Sequence, residues 1–277
     1  MWAAISSWWK IPTAGTTKHR GGAGSRQRWH FCLPIEALLN REHHAWHSPA
    51  LGRDMRLLVF GRAGARVIVF PTSLGSCQEW ADRHMPEVLG DHLANGWIQL
   101  FCVDHVQGES WYAEQLHPGA RAWRHLQYDH YLTTELLPFT AHRNSNPFVI
   151  ALGASFGAYQ AACLGLRHPE LVQRIIGLSG FYDIKRFTGG YSDDNVYACN
   201  PFDFIVHEHD PQRLGAFARQ DIILAIGGDD PSIENNREFS KRLWEKGVGN
   251  ALRVWDGWCH DWPYWEKMVR TYIGGHD

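Results

Sequence analysis

The chain has 277 residues, enough for one large α/β domain or at most two small ones. With 44% hydrophobic and 20% charged residues, it can bury most of its apolar surface without a disulfide or metal staple. Its net charge of −2 with histidines neutral argues against a polyanion-binding surface or an electrostatic membrane anchor, so no nucleic-acid or membrane partner is expected.

The N-terminal MWAAISSWWK has no basic start followed by a sustained apolar core, which makes it a poor secretion signal. Residues 11–30 are rich in Gly, Thr, Arg and Ser. We expect residues 1–40 to be a flexible extension, residues 41–277 to form a single domain, and the location to be cytoplasmic. No run of about 18 apolar residues is present, so no transmembrane helix is expected. The segment Arg41-Glu42-His43-His44-Ala45-Trp46-His47 superficially suggests a metal site. It lacks the HExxH order and a third ligand at useful spacing, and reads as a solvated segment.

From residue 50 a strand-and-helix rhythm appears. Arg56 to Phe60 and Arg66 to Phe70 are β-rich runs around a Gly-containing turn, which predicts a hairpin. Residues 77–94 suit a helix. Ile98 to Val103 reads as a strand and residues 118–142 as a long helix, with Leu126, Tyr131, Leu132 and Leu136 at near-helical spacing. Pro147 to Leu152 is a buried-strand run, followed by a helix to about His168, and Ile175 to Leu178 is another strand. Residues 181–220 are loop-rich, with Gly189-Gly190, Asn200-Pro201 and Asp210-Pro211 as breakers. Strand Asp221 to Ile226, a helix over 233–246, strand Ala251 to Trp255 and a helix over 261–273 complete the chain. This alternation predicts an α/β fold with a mostly parallel central sheet and helices on both faces.

The chemistry points to Gly153-Ala154-Ser155-Phe156-Gly157, which lies between a buried strand and an alanine-rich helix. On such a turn a serine is held in strained geometry above the carboxyl edge of the sheet, with the helix N-terminus directed at it. A serine hydroxyl needs a base, and the base an orienting carboxylate, in the chain order Ser, acid, His. Asp229 and Asp230 follow the strand run DIILAIGG, and the Gly227-Gly228 turn favours Asp230. His260 follows the last strand and the Asp256-Gly257 turn. His276 is too near the terminus, and His207 and His209 precede the acid. Asp261 reads as a helix cap. Two donors must hold a tetrahedral oxyanion: the Phe156 N–H and one from the loop Pro71-Thr72-Ser73-Leu74-Gly75. Ser73 is the expected donor there, with Leu74 the alternative.

These residues resemble the esterase family of the α/β-hydrolase fold that includes S-formylglutathione hydrolase, feruloyl-type esterases and mycolyltransferases. The matching features are GASFGAYQA around Ser155, the IGGDDP turn and the closing GWCHDWPYW around His260. SWY (Ser110, Trp111, Tyr112), LSGFYD over 178–183 and CNPFDF over 199–204 are secondary matches. The resemblance spans roughly residues 50–273. It implies a serine esterase with Ser155 as nucleophile, His260 as base and Asp230 as acid, acting on a small-molecule ester without a cofactor. The family often carries His-Gly or Asp-Gly on the first oxyanion loop, and Pro71-Thr72 departs from that. Trp111 and Tyr112, with the 181–220 segment, are expected to wall the substrate pocket. Acyl transfer and thioester cleavage by the same triad are the alternatives, a non-catalytic binding module the more distant one.

Fourteen tryptophans is a high count; Trp80, Trp111, Trp258, Trp262 and Trp265 lie near these motifs and are expected mostly in core and rim. The six cysteines are scattered without zinc-ligand spacing and read as buried thiols.

Overall fold

A computed structural model describes residues 39–275. The extension expected over residues 1–40 lies outside them, apart from its last two positions. Eight strands form one sheet: β1 (Glu42–Ser48), β2 (Arg53–Phe60), β3 (Ala65–Phe70), β4 (Ile98–Val103), β5 (Val149–Ala154), β6 (Arg174–Leu178), β7 (Asp221–Gly227) and β8 (Ala251–Trp255). Their order is β1-β2-β4-β3-β5-β6-β7-β8, antiparallel among β1, β2 and β4 and parallel from there on.

The inner strands are continuous apolar runs because both their faces are covered. Val67, Val69, Ile150, Leu152, Ile176 and Ile223 pack with Trp265, Met268 and Val269 of helix Trp262–Tyr272. Their neighbours Ile68, Phe70, Ala151, Ile175 and Leu224 pack on the opposite face. There they meet Tyr128, Leu164 and Phe239 of helices Pro118–Tyr131, Phe156–Arg167 and Ile233–Glu245. These four helices are α1 (Pro118–Tyr131), α2 (Phe156–Arg167), α3 (Ile233–Glu245) and α4 (Trp262–Tyr272). Period-2 alternation in each strand thus sorts one sequence into two cores.

Four expectations are corrected. The runs at 56–60 and 66–70 are strands, but they do not pair as a hairpin, because β4 lies between them. The hairpin is β1–β2, built from the segment read as solvated. Local periodicity could not show this partner. It is fixed by Glu135, whose carboxylate accepts from Ser48 Oγ (2.7 Å), Trp46 Nε1 (2.9 Å) and the Ala50 N–H (3.1 Å). Exposure alternates along β1, so His43 and His47 lie on the exposed side and His44 on the other. No metal-ligand cluster occurs among the described residues.

The helix expected over 77–94 is three short ones, Glu79–Asp82, Met85–Val88 and Gly90–Ala94. His84 stands at φ +57° between the first two, and Pro86 opens the second. Helix α1 continues through a π-helical turn, Leu132–Leu136, into Leu137–Arg143. The 181–220 segment holds the 3-10 turn Ile184–Phe187 and three short α-helices, Asp194–Ala198, Pro201–His207 and Pro211–Phe217, and the breakers Asn200-Pro201 and Asp210-Pro211 act as helix starts. The remaining elements lie within about two residues of expectation.

One buried histidine makes stability depend on pH. His125 of α1 is 4% exposed and stacks on Tyr159 at 5.5 Å. Burial pushes its pKa down to about 4 from 6.5; nearby Asp129 opposes this and Arg167 adds to it. The unfolded chain therefore binds a proton between pH 6.5 and 4 that the folded chain refuses. This contribution is intact above pH 6.5 and is lost as pH falls toward 4, by about 3 kcal/mol. Urea unfolding at pH 7 and pH 4 should show His125→Phe losing about 3 kcal/mol less than the wild type between the two. Equal losses would mean that His125 is not neutral in the fold.

Candidate active site

Strand β5 runs into α2 through Ser155, at φ +54° and ψ −118°, a conformation costly for a residue with a side chain. Close approach explains the flanking glycines: a Cβ on Gly153 would lie 2.2 Å from the Gly157 backbone, and one on Gly157 would lie 2.6 Å from Phe70 O. The Ser155 N–H donates to Leu178 O of β6 (2.8 Å), which ties the turn to the sheet edge.

The β7–α3 turn brings Asp230, and the β8–α4 loop brings His260. His260 Nδ1 lies 2.6 Å from Asp230 Oδ2, and Nε2 lies 3.1 Å from Ser155 Oγ. With a carboxylate accepting at Nδ1, that nitrogen carries the proton, leaving Nε2 to accept from the hydroxyl. Asp230 is 2% exposed, and its Oδ1 accepts from the Ser232 N–H (2.8 Å). Asp229 is exposed, and its N–H donates to Gly257 O (3.0 Å). The two sequence neighbours thus have opposite environments. Asp261 accepts from the Trp262 N–H (2.7 Å) as the cap of α4.

The histidine loop is anchored by residues that sequence reasoning missed. Ser179 Oγ donates to Cys259 O (2.9 Å) and accepts from Trp265 Nε1 (3.0 Å). The Trp258 ring lies 5.7 Å from the imidazole, and Trp265 meets it edge-on at 5.5 Å. Cys259 is buried and its thiol pKa is raised, first by burial and then by nearby Asp256, Asp229 and Asp230. That keeps it a protonated thiol. Cys77, Cys102, Cys163, Cys199 and Cys259 are all unpaired and buried, and Cys32 lies outside the described residues.

The loop after β3 is equally constrained. The Thr72 N–H and Oγ1 both donate to Glu79 (2.8 and 2.6 Å). The Leu74 N–H donates to Gln107 Oε1 (2.5 Å), and Leu74 itself stands at φ +56°. Gln107 Nε2 donates to Thr72 O (3.2 Å) and Gln160 Oε1 (3.0 Å), so one buried amide spans the loop and α2. The Gln107 N–H donates to His105 Nδ1 (2.9 Å), and His105 Nε2 bonds Gly75 O. Thr72 and Leu74 therefore have occupied N–H groups, while the Ser73 N–H has no acceptor among the described residues. As the first residue of α2, Phe156 has no intrahelical acceptor for its N–H either. Nothing in the local sequence pointed to Gln107, which is 33 residues from Leu74 along the chain.

A cavity of about 260 Å³ opens above these groups, lined by Ser73, Tyr112, Ser155, Phe181, Phe187, Trp258 and His260 among others. Tyr112 donates to Ser73 Oγ (2.7 Å) and packs on Phe156 and Phe187. Trp111 does not line the cavity. It is fully buried beneath it with Phe156 and Tyr159, a correction to its expected role. Trp80, Trp262 and Trp265 are core residues too, and Trp258 is 52% exposed at the rim.

Sheet order, the strained turn after β5 and helices on both faces define the α/β-hydrolase fold. The family model named Esterase ("Putative esterase") matches residues 103–271, more than half of the chain. The chain belongs to this family, and it is a carboxylic ester hydrolase. The match begins at the end of β4, so the loop carrying Ser73 precedes it. Solved structures similar to this chain include a ferulic acid esterase (19% identity, 84% of this chain and 95% of that one, TM-score 0.66). An S-formylglutathione hydrolase from Agrobacterium tumefaciens is similar at 13% identity (84% and 93%, TM-score 0.66). A fluorophosphonate-binding serine hydrolase of Staphylococcus aureus is similar at 16% identity (84% and 96%, TM-score 0.59). No curated protein sequence matches the chain. Among the described residues, no helix is long and apolar enough to cross a membrane.

Proposed function

We propose that the chain hydrolyses its ester through an acyl-enzyme on Ser155, with His260 as base and Asp230 as its orienting acid. The observation that carries this reading is the unbroken chain from Ser155 Oγ through the imidazole to the buried carboxylate, at 3.1 and 2.6 Å. In the first half-reaction Oγ attacks the ester carbonyl carbon and its proton passes to His260 Nε2. Asp230 stabilises the imidazolium, and the Phe156 and Ser73 N–H groups hold the oxyanion. The intermediate collapses as His260 gives that proton to the departing alcohol. Water then repeats the sequence on the acyl-enzyme, releasing the acid and freeing Oγ. No step calls on a cofactor. Trp258, 52% exposed, leaves the cavity open to solvent, which supports water as the acceptor. Five unpaired buried thiols support a reducing, cytoplasmic setting.

A fluorophosphonate probe should modify the wild-type chain on the peptide containing Ser155 and leave Ser155→Ala unlabelled. A label mapped to any other residue would sink the assignment.

Gln107 is a positioning residue in this reading, because its carbonyl occupies the Leu74 N–H and leaves the Ser73 N–H as the loop's free donor. Gln107→Ala should lower kcat about 10- to 100-fold with a smaller change in KM, since a displaced donor is lost mainly in the transition state. Steady-state hydrolysis of p-nitrophenyl acetate measures this. A kcat within twofold of wild type would remove Gln107 from the mechanism.

A further inference from the structure

The mechanism leaves one charged side chain of the cavity unused. Arg186, on the 3-10 turn Ile184–Phe187, lines the same cavity as Ser155 and His260. Its guanidinium lies over the Phe181 ring at 4.7 Å and the Phe187 ring at 5.3 Å. Aromatic seating of this kind orients an arginine while leaving its N–H fork free. The neighbouring Lys185 is paired with Asp203 (2.8 Å) and Asp183 (3.7 Å), whereas Arg186 forms no ion pair or hydrogen bond among the described residues. The one carboxylate lining the cavity, Asp230, is held by His260 and the Ser232 N–H and is not available to it. The cavity therefore presents an apolar, aromatic wall of Tyr112, Phe181, Phe187 and Trp258, and its lining includes one cation without an acidic partner, the solvent-exposed Arg186.

We propose that Arg186 is an anion subsite, and that the preferred substrates are esters carrying a carboxylate. A planar guanidinium seated against two rings matches a carboxylate through two parallel N–H bonds. The flanking rings would take the apolar part of the same substrate half. This inference rests on the reading that esters react at Ser155, in the same cavity.

Two matched ester pairs test it. Mono-p-nitrophenyl glutarate against p-nitrophenyl valerate places the charge on the acyl half. 4-Acetoxybenzoate against its methyl ester places it on the alcohol half. In at least one pair the wild type should favour the acid by about tenfold or more in kcat/KM, chiefly through KM. Arg186→Met should reduce that acid-to-neutral ratio about tenfold, and Arg186→Lys, which keeps charge but loses the fork, should fall between. Thermal unfolding and fluorophosphonate labelling show whether each variant is folded with an intact site. Absence of acid preference in both pairs, or a preference that survives Arg186→Met, overturns the subsite. Calorimetric binding of the two acid esters to Ser155→Ala, with and without Arg186→Met, separates the two readings. Weaker binding on loss of Arg186 supports the subsite even if Ser155 proves not to be the nucleophile. Equal binding refutes the subsite and leaves the triad standing.

Discussion

Ser155→Ala should lower kcat by a factor approaching about 10⁶ while leaving the fold intact. The substitution removes only the oxygen that lies 3.1 Å from His260 Nε2. It keeps the Cβ, so the φ +54° turn and its tie to Leu178 O are undisturbed. The unfolding midpoint should shift by no more than a degree or two, since no buried contact is lost. His260→Ala should fall almost as far, because the hydroxyl then has no acceptor for its proton. The double variant should be no slower than either single one, because the two groups act as a unit. Steady-state kinetics on p-nitrophenyl acetate, with folding checked by circular dichroism, gives the comparison. Turnover surviving within tenfold in folded Ser155→Ala would end the nucleophile assignment.

The second large effect separates two adjacent aspartates. Asp230→Asn should cost about 10⁴ in kcat near neutral pH. An asparagine that keeps its carbonyl on the Ser232 N–H must turn its NH₂ toward His260. The imidazole then accepts at Nδ1 and carries its proton at Nε2, where it faces Ser155 and cannot act as a base. The buried carboxylate that would offset an imidazolium in the proposed mechanism is lost as well. Asp229→Asn should stay within about twofold, since its exposed side chain gains little from its charge. The contrast is the test: comparable losses in both variants would dissolve the distinction between them.

Much of the candidate site was legible along the chain because the residues proposed for it stand at strand ends. A buried apolar run followed by small residues marks a strand that must turn sharply, and such turns occur at Ser155 and after Gly227. The choice of Asp230 over Asp229 was argued from one glycine pair, and the structure sets the two apart by burial. Other parts were not legible. Trp111 and Tyr112 are adjacent, yet one is sealed beneath α2 and the other reaches the cavity, because consecutive side chains point in different directions. The hairpin was misassigned because short β-rich runs do not name their partners. Pairing depends on what else reaches the sheet, here β4 between β2 and β3 and Glu135 drawing in β1.

The sequence by itself determined the alternating α/β pattern, the strained serine turn, and an aspartate pair and a histidine in the chain order of the proposed site. These follow from local periodicity and turn chemistry, which act over a few residues. Only the tertiary structure decided the strand order, which loop N–H groups are already occupied, and which cation stands in the cavity. Those depend on contacts between residues far apart in the chain, such as Gln107 with Leu74. Nothing in the local pattern encodes such pairs, since they form only when the sheet brings its loops to one edge.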